Sequence, residues 1–344
     1  MHLEKLSERN VPDLLSREEM LNIMQTEEYG FIPSKPESLT WEVDESYFIP
    51  NFCAGKATVK KVNAVCAVND KEFSFPFYCT LPTKKGKYPF FVHINFRDSI
   101  PDRYMPTEEL VDNGFAVLSF CYKDVTNDDG DFSDGLAGVL FENGKRSPAD
   151  CGKIAMWAWA AQRVMDYAET LSDILDLDCA IVCGHSRLGK TALLAGATDT
   201  RFRFVYSNNS GCSGAAITRK KQGETVKAIN SVFPYWFCGN YSKYIDNEAN
   251  MPFDQHYLIA SVAPRFCLVG SASEDIWADP ESEMLACVAA SGAYPEQGFI
   301  YEDREMKSGD KFFEGSIGYH LREGEHYLGR EDWNRLIEFV NKHR

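Results

Sequence analysis

The sequence has no C-x-x-C pair, no long apolar run and no excess of basic residues. Each absence removes a class of protein. Without cysteines at zinc-ribbon spacing, no structural metal site is expected, and no cofactor motif stands out. No stretch reaches the ~18 consecutive apolar residues of a membrane-spanning helix. The net charge is −15. Neither a nucleic acid nor an anionic membrane is therefore an expected partner. The N-terminal stretch MHLEKLSERNVPDLLSREEM is charged throughout and lacks the apolar centre of a signal peptide. The expectation is a cytoplasmic protein, or a secreted one already trimmed. Internal repeats, linkers and low-complexity tracts are missing too, and nothing in the sequence sets an oligomeric state.

The chain carries 11 cysteines, an odd number, and several stand in apolar runs: Cys79, Cys121, Cys179, Cys183 and Cys267. They read as reduced thiols that pack as small hydrophobes. The acidic run Asn127-Asp128-Asp129-Gly130-Asp131 resembles a calcium loop only at first sight. With Gly130 in the sixth place, Val125 and Leu136 fall where the first and last ligands belong. A solvated loop is the expected reading.

What is present is a chain of 344 residues with 44% hydrophobic content, enough for a substantial core. Ser16 to Met24 reads as a short helix, with Ser16 as N-cap and Glu19 completing a capping box. Residues 41–83 alternate and are rich in Val, Phe and Tyr, with a hairpin turn at Val68-Asn69-Asp70-Lys71. Tyr88–Asn95 and Phe115–Cys121 are unbroken apolar strands, suited to burial on both faces of a parallel sheet. Residues 122–148 read as loop. A helix with apolar positions Ile154, Trp157, Ala161, Val164 and Ala168 spans Asp150 to Leu171. Further strands follow at Phe202–Ser207 and Pro264–Ser271. Helices are expected from about Glu281 to Ser291 and from Glu331 to about Lys342. The alternation predicts one α/β domain over 1–344. Its sheet is doubly wound and mostly parallel. An extension with the first antiparallel strands occupies 1–87, and an aromatic-rich, cap-like insertion occupies 212–256.

The centre of this pattern is DCAIVCGHSRLGKTALLAGA, from Asp178 to Ala197. An apolar strand, a tight turn at Gly184 and a helix place Ser186 at an apex. Two readings compete. One is a nucleophile elbow, which lifts a serine Oγ above a parallel sheet. The other is a phosphate-binding loop, since Gly184 to Thr191 spells G-x-x-x-x-G-K-[ST]. The second reading needs a magnesium-binding aspartate at the end of another apolar strand, and the strand at 202–207 ends in Ser-Asn-Asn. Its loop also holds His, Arg and Leu where backbone N–H groups must wrap a phosphate. The elbow reading predicts Ser, then an acid, then His in chain order. Asp275 follows the strand ending at Ser271, and His326 precedes the last helix. The chemistry needs all three: His takes the serine proton, and the acid holds the imidazole tautomer and balances its charge. An α/β-hydrolase fold follows from this reading.

From about residue 88 onward the chain resembles the glucuronoyl esterases, carbohydrate esterase family fifteen. The resemblance rests on Gly184-His185-Ser186-Arg187-Leu188-Gly189-Lys190, Asn209-Ser210-Gly211, Pro252-Phe253-Asp254-Gln255-His256, Ala263-Pro264-Arg265 and Trp277. It implies an α/β hydrolase with an open, shallow site. The implied reaction is hydrolysis of esters on the C6 carboxyl of (4-O-methyl-)glucuronic acid through an acyl-enzyme. It implies Ser186 as nucleophile and His326 as general base. It gives Arg187 a part in stabilising the oxyanion, through its backbone N–H and its guanidinium. Lys190 and the indole of Trp277 would bind sugar hydroxyls, with Glu224 facing the sugar beside them.

Two departures stand out. Some members carry the acid as Glu just before the Ser-Gly pair, where this chain has Asn209; that leaves Asp275. Characterised members are usually secreted to act on plant cell wall. Without a visible signal peptide, a small carbohydrate or uronate ester is as good a substrate as a polymer. Two alternatives remain open: a carbohydrate acetyl esterase with the same triad, and a nucleotide-binding or inactive binding module. His320 is the rival base, and His185, His256 and His93 read as core or supporting histidines. Trp157 and Trp159 read as packing residues.

Overall fold

The computed structural model describes residues 1–344. The chain opens with two helices, His2–Arg9 and Arg17–Met24. Ser16 caps the second, accepting from the Glu19 N–H while Glu19 returns the bond. Strands β1 (Ser38–Val43), β2 (Ala57–Val68) and β3 (Lys71–Pro82) then form an antiparallel meander. Asn69 and Asp70 make the β2–β3 turn with φ of 53° and 59°. A two-residue hairpin loop demands such left-handed values, and Asn and Asp tolerate them.

The remaining strands are β4 (Tyr88–Asn95), β5 (Ala116–Cys121), β6 (Leu175–His185), β7 (Phe204–Asn208), β8 (Phe266–Ala272), β9 (Lys311–Phe312) and β10 (Ile317–Arg322). All ten strands lie in one sheet, in the order β1-β2-β3-β5-β4-β6-β7-β8-β10-β9. From β5 to β10 in that order, neighbours run parallel. The short β9 closes the far edge antiparallel to β10. Every residue of β5 and nearly every residue of β4 is buried. That explains their unbroken apolar character: both faces of the sheet are covered. The helices Lys153–Glu169, Arg187–Thr198 and Pro280–Ala290 carry the bulk of one face's core, with Trp157 and Trp159 fully buried. Both indoles donate, to Thr126 O at 3.3 Å and Ser34 O at 2.8 Å. The helix Arg330–His343 covers the other face through Trp333, Leu336 and Phe339.

Ten of the 11 cysteines are buried, Cys53 is half-buried, and all are free thiols. No helix is long and apolar enough to cross a membrane.

Residues 122–148 are loop with short helices at Tyr122–Val125 and Gly135–Leu140. The acidic run stays largely solvated as expected: Asn127, Asp129, Gly130 and Asp131 are exposed, and Asp128 alone turns its side chain inward. The loop is tied to the domain by Lys153, buried at the start of its helix. Its ammonium donates to Thr126 Oγ1 at 2.9 Å, Asp131 O at 2.5 Å and Asp134 Oδ1 at 3.3 Å. Asp134 also accepts from the Asn127 N–H at 2.9 Å. A buried ammonium must be paired, so it draws in the Asp134 carboxylate, a hydroxyl and a main-chain carbonyl.

Candidate active site

The parallel strands end together, and the loops leaving their carboxyl ends build one cavity of about 320 Å³. Ser186 follows β6, Asn209 follows β7, Asp275 follows β8 and His326 follows β10.

Ser186 has φ 57° and ψ −127°, a conformation that a side chain adopts only under constraint. The constraint is visible. The Ser186 N–H donates to Asn208 O at 2.8 Å, and the Ser186 carbonyl accepts from Gly189 N at 2.9 Å. A Cβ at Gly184 would lie 2.1 Å from Leu188 O, so only glycine lets the strand turn back on its helix. Gly189 serves the same closeness: a Cβ there would meet Ser207 Oγ and Ser210 Cβ at 3.1 Å. Ser186 thus stands at the start of the helix Arg187–Thr198, where the helix dipole favours negative charge.

His326 Nδ1 lies 2.6 Å from Asp275 Oδ2. The His326 side chain is 43% exposed and that of Asp275 3%. The same Asp275 oxygen accepts from Asn209 Nδ2 at 2.9 Å, and Oδ1 accepts from the Ala278 N–H at 3.2 Å. Burial works to raise the Asp275 pKa. The hydrogen bond and charge of His326 outweigh it, helped by Asn209 and Ala278, and hold the carboxyl below the usual range. Ser186 and His326 line the same cavity. No hydrogen bond joins them in this structure; such bonds often tighten only when substrate arrives.

A second layer orients the histidine. The His185 ring lies 4.6 Å from that of His326, at 40°. Burial, then the neighbouring His326, lowers the His185 pKa to about 3, so the ring is neutral. Its Nδ1 donates to Asn208 Oδ1 at 2.7 Å. Asn208 Nδ2 donates in turn to Asp332 Oδ1 at 3.0 Å, which fixes the amide's orientation. Asp332 is paired with Arg322, whose Nε lies 3.0 and 2.9 Å from the two carboxylate oxygens. Arg322 Nη2 reaches Glu325 O at 2.8 Å and Tyr327 O at 2.6 Å, the carbonyls on either side of His326. Sequence reasoning missed this pair. The available signal was an arginine and an aspartate bracketing the loop histidine.

Removing one partner of a buried ion pair typically costs about 3–5 kcal/mol, because the other charge stays buried and unpaired. Arg322→Met should therefore lower the melting temperature sharply. It should also increase hydrogen exchange at 323–327 more than elsewhere. A melting curve and exchange profile like those of the wild type would refute this reading of the pair.

Lys190 is buried, and its Nζ donates to Ser210 O and Cys212 O, with Glu224 Oε2 at 3.6 Å. Lys190 and Glu224 both line the cavity. The Glu224 N–H donates to Trp277 O at 3.0 Å, which ties both residues to one wall. Trp277 is 58% exposed and lines the cavity from the rim. Arg187, Phe233 and Trp236 line the cavity as well, with the guanidinium over both rings. Phe233 and Trp236 stack with centroids 3.9 Å apart, and both come from the 212–256 segment.

The other histidines lie elsewhere. His320 is buried within β10, with Nε2 3.1 Å from Tyr206 OH. His256 Nε2 bonds Pro12 O at 3.0 Å, and His93 packs on Trp333 at 5.3 Å. The phosphate-loop alternative also fails. Residues from Arg187 onward are already helical, and the Lys190 ammonium is committed to carbonyls beneath the cavity.

A strained serine between a parallel strand and a helix, with an Asp–His pair delivered from later strands, defines an α/β hydrolase. Residues 64–298 match the family model described as "Glucuronyl esterase, fungi". That is more than half of the chain, and the chain belongs to the glucuronoyl esterase family of carboxylic ester hydrolases. Over 239 residues it is 43% identical to Carbohydrate esterase MZ0003 from an unknown prokaryotic organism. That match takes in 69% of this chain and 55% of the relative's length. It is 26% identical to the 4-O-methyl-glucuronoyl methylesterase of Schizophyllum commune, covering 82% of this chain and 68% of that one. The solved glucuronoyl esterase from Solibacter usitatus superposes with a TM-score of 0.85 at 32% identity, over 94% of this chain and 91% of that one.

Proposed function

We propose that this protein hydrolyses carboxylic esters of glucuronic acid, or of its 4-O-methyl ether, through an acyl-enzyme on Ser186. In the first half-reaction Ser186 Oγ attacks the uronate carbonyl while His326 Nε2 takes its proton. Asp275 holds the other imidazole proton and balances the charge that forms. The negative oxygen is met by the Arg187 N–H, the helix start and the Arg187 guanidinium. The proton on His326 passes to the departing alkoxide, so the alcohol leaves neutral. Water then repeats the sequence on the acyl-enzyme and frees the uronic acid. Lys190, Glu224 and Trp277 receive the sugar ring.

The observation that carries this reading is one cavity lined by Ser186, Arg187, Asp275 and His326 together with Lys190, Glu224 and Trp277. A simple esterase needs the first four; the last three add polar groups where the acyl portion must sit. The test is methanol release from methyl 4-O-methyl-glucuronate, set against acetate release from acetylated xylo-oligosaccharides. Methanol release should dominate. Acetate release without methanol would assign the site to deacetylation.

Specificity gives a finer check. Lys190→Met should lower kcat/KM on the uronate ester by roughly 30-fold, about 2 kcal/mol, because it leaves a sugar hydroxyl and Glu224 unpaired. Trp277→Phe keeps the ring, loses the N–H and should cost about 5-fold, roughly 1 kcal/mol, at this more exposed position. A nitrophenyl acetate should feel neither change. Equal losses on both substrates would show that these residues support the site without reading the sugar.

A further inference from the structure

Arg187 follows Ser186 in the chain and lines the same cavity, and its side chain is held in an unusual way. The guanidinium lies over the Trp236 ring at 4.8 Å, the Phe233 ring at 5.4 Å and the Phe96 ring at 5.8 Å. Rings fix its plane but let it rotate within that plane. The rotation is stopped by Asp128, whose Oδ2 pairs with Arg187 Nη1. Arg187 Nε is buried without an acceptor in the chain.

Asp128 is itself fully organised. Its side chain is 7% exposed. Oδ1 accepts from Trp236 Nε1 at 2.7 Å, and Oδ2 accepts from Tyr122 OH at 3.0 Å. Its carbonyl accepts from Tyr235 OH at 3.1 Å. One hydroxyl and an indole N–H therefore fix a carboxylate whose one charged partner is Arg187, and a second hydroxyl holds its main chain. The neighbouring acids do other work: Asp129 is 55% exposed and 4.0 Å from Lys153, and Asp134 pairs with Lys153 at 3.3 Å. Lys153 holds the loop through the Asp131 carbonyl and Asp134, and of the acidic run only Asp128 turns its side chain inward, to Arg187.

We propose that Asp128 is a positioning residue for Arg187: it aims the guanidinium at the oxyanion that forms on the carbonyl attacked by Ser186. This rests on the acyl-enzyme reading above. An arginine left free must be ordered at each turnover. One already anchored through Nη1 stabilises the transition state without reorganisation. The anchor acts on the developing charge, so it bears on kcat rather than on ground-state binding.

The test is a double-mutant cycle on the full chain. Asp128→Asn keeps the volume and removes the charge that pairs with Arg187. With methyl glucuronate it should lower kcat about 10- to 100-fold, the range expected for loss of part of an oxyanion donor's effect, with KM changed by less than about twofold. In the Arg187→Met background the same substitution should change kcat by less than about twofold, since its target is gone. Tyr122→Phe, which removes one support of Asp128 and lines no part of the cavity, should give a smaller loss with the same dependence on Arg187. It keeps the test open if Asp128→Asn folds poorly. Losses of equal size in both backgrounds would make Asp128 a structural residue and overturn the proposal. So would an unchanged kcat for both single variants.

Labelling of Ser186 by an alkyl fluorophosphonate separates this proposal from the choice of substrate. The Oγ–P bond forms, fluoride leaves, and the phosphoryl oxygen takes the place of the oxyanion. If methyl glucuronate is not turned over but the labelling rates show the same cycle, the substrate assignment fails and the role of Asp128 stands. If the labelling rates show no dependence on Asp128, the role fails whatever the substrate.

Discussion

Ser186→Ala should fold and melt like the wild type while losing about 10⁴- to 10⁶-fold in kcat on uronate esters. The fold is expected to survive because the Ser186 main chain makes the local bonds, to Asn208 O at 2.8 Å and from Gly189 N at 2.9 Å. The hydroxyl contributes none of them. Alanine at φ 57° carries the same backbone strain that serine does, so the elbow costs no more than before. The size of the loss follows from the chemistry. Without Oγ there is no acyl-enzyme, and the Asp275–His326 pair has no alcohol to deprotonate. What remains is polarisation of the carbonyl and water held by chance near His326. Initial rates of methanol release, with melting curves run alongside, check both halves. A variant that keeps more than a tenth of the wild-type rate would remove Ser186 from the reaction.

The elements that position this serine were legible in the sequence, and the reason is local. The strand Leu175–His185, Gly184 and the helix from Arg187 are contiguous, and short-range sterics dictate the turn. The β2–β3 hairpin and the Ser16 capping box are legible on the same grounds. Chain order brought Asp275 and His326 to one place because loops after parallel strands share one end of the sheet. The layer beneath was not legible. Asp128 meets Arg187 across 59 residues, and the Asn208–Asp332 bond spans 124. Nothing in the spacing of those residues marks them. Asp128 was misleading as well: it belongs to an Asp-rich run that is largely solvated, yet its own side chain turns inward to Arg187. Buried cations were the missing term, because a charge that cannot reach water recruits its partners from wherever the chain can supply them. Lys190 shows the same rule. Its letters fit a phosphate loop, but burial commits it to the Ser210 and Cys212 carbonyls.

Asp275→Asn should lower kcat by about 10³ to 10⁴, with Glu274→Gln nearly silent. Three donors converge on the two Asp275 oxygens: His326 Nδ1–H at 2.6 Å and Asn209 Nδ2–H at 2.9 Å on Oδ2, and the Ala278 N–H at 3.2 Å on Oδ1. A carboxylate satisfies all three, whereas an amide cannot. With its oxygen toward His326 it keeps the productive tautomer, but its NH₂ group then opposes the Ala278 N–H. It also supplies no charge to balance the imidazolium. Turned the other way, the NH₂ group faces His326 and drives the proton to Nε2, where it blocks proton transfer from Ser186. Either orientation loses an interaction, and the second loses the base itself. The depressed pKa of Asp275 adds a pH signature. Its contribution to stability is present above the ordinary carboxylate pKa and disappears as pH falls through the lower folded value. Asp275→Asn should therefore flatten the acid side of the stability profile. Asn209 touches the same oxygen as His326, so Asp275→Asn combined with Asn209→Glu should return part of the lost kcat. The return is limited because Asn209 sits at φ 46°, where a glutamate is strained by roughly 1 kcal/mol. Rates for the two single variants and the combined one at saturating substrate decide the matter. An Asp275→Asn enzyme within tenfold of wild type would show that another group charges the imidazole.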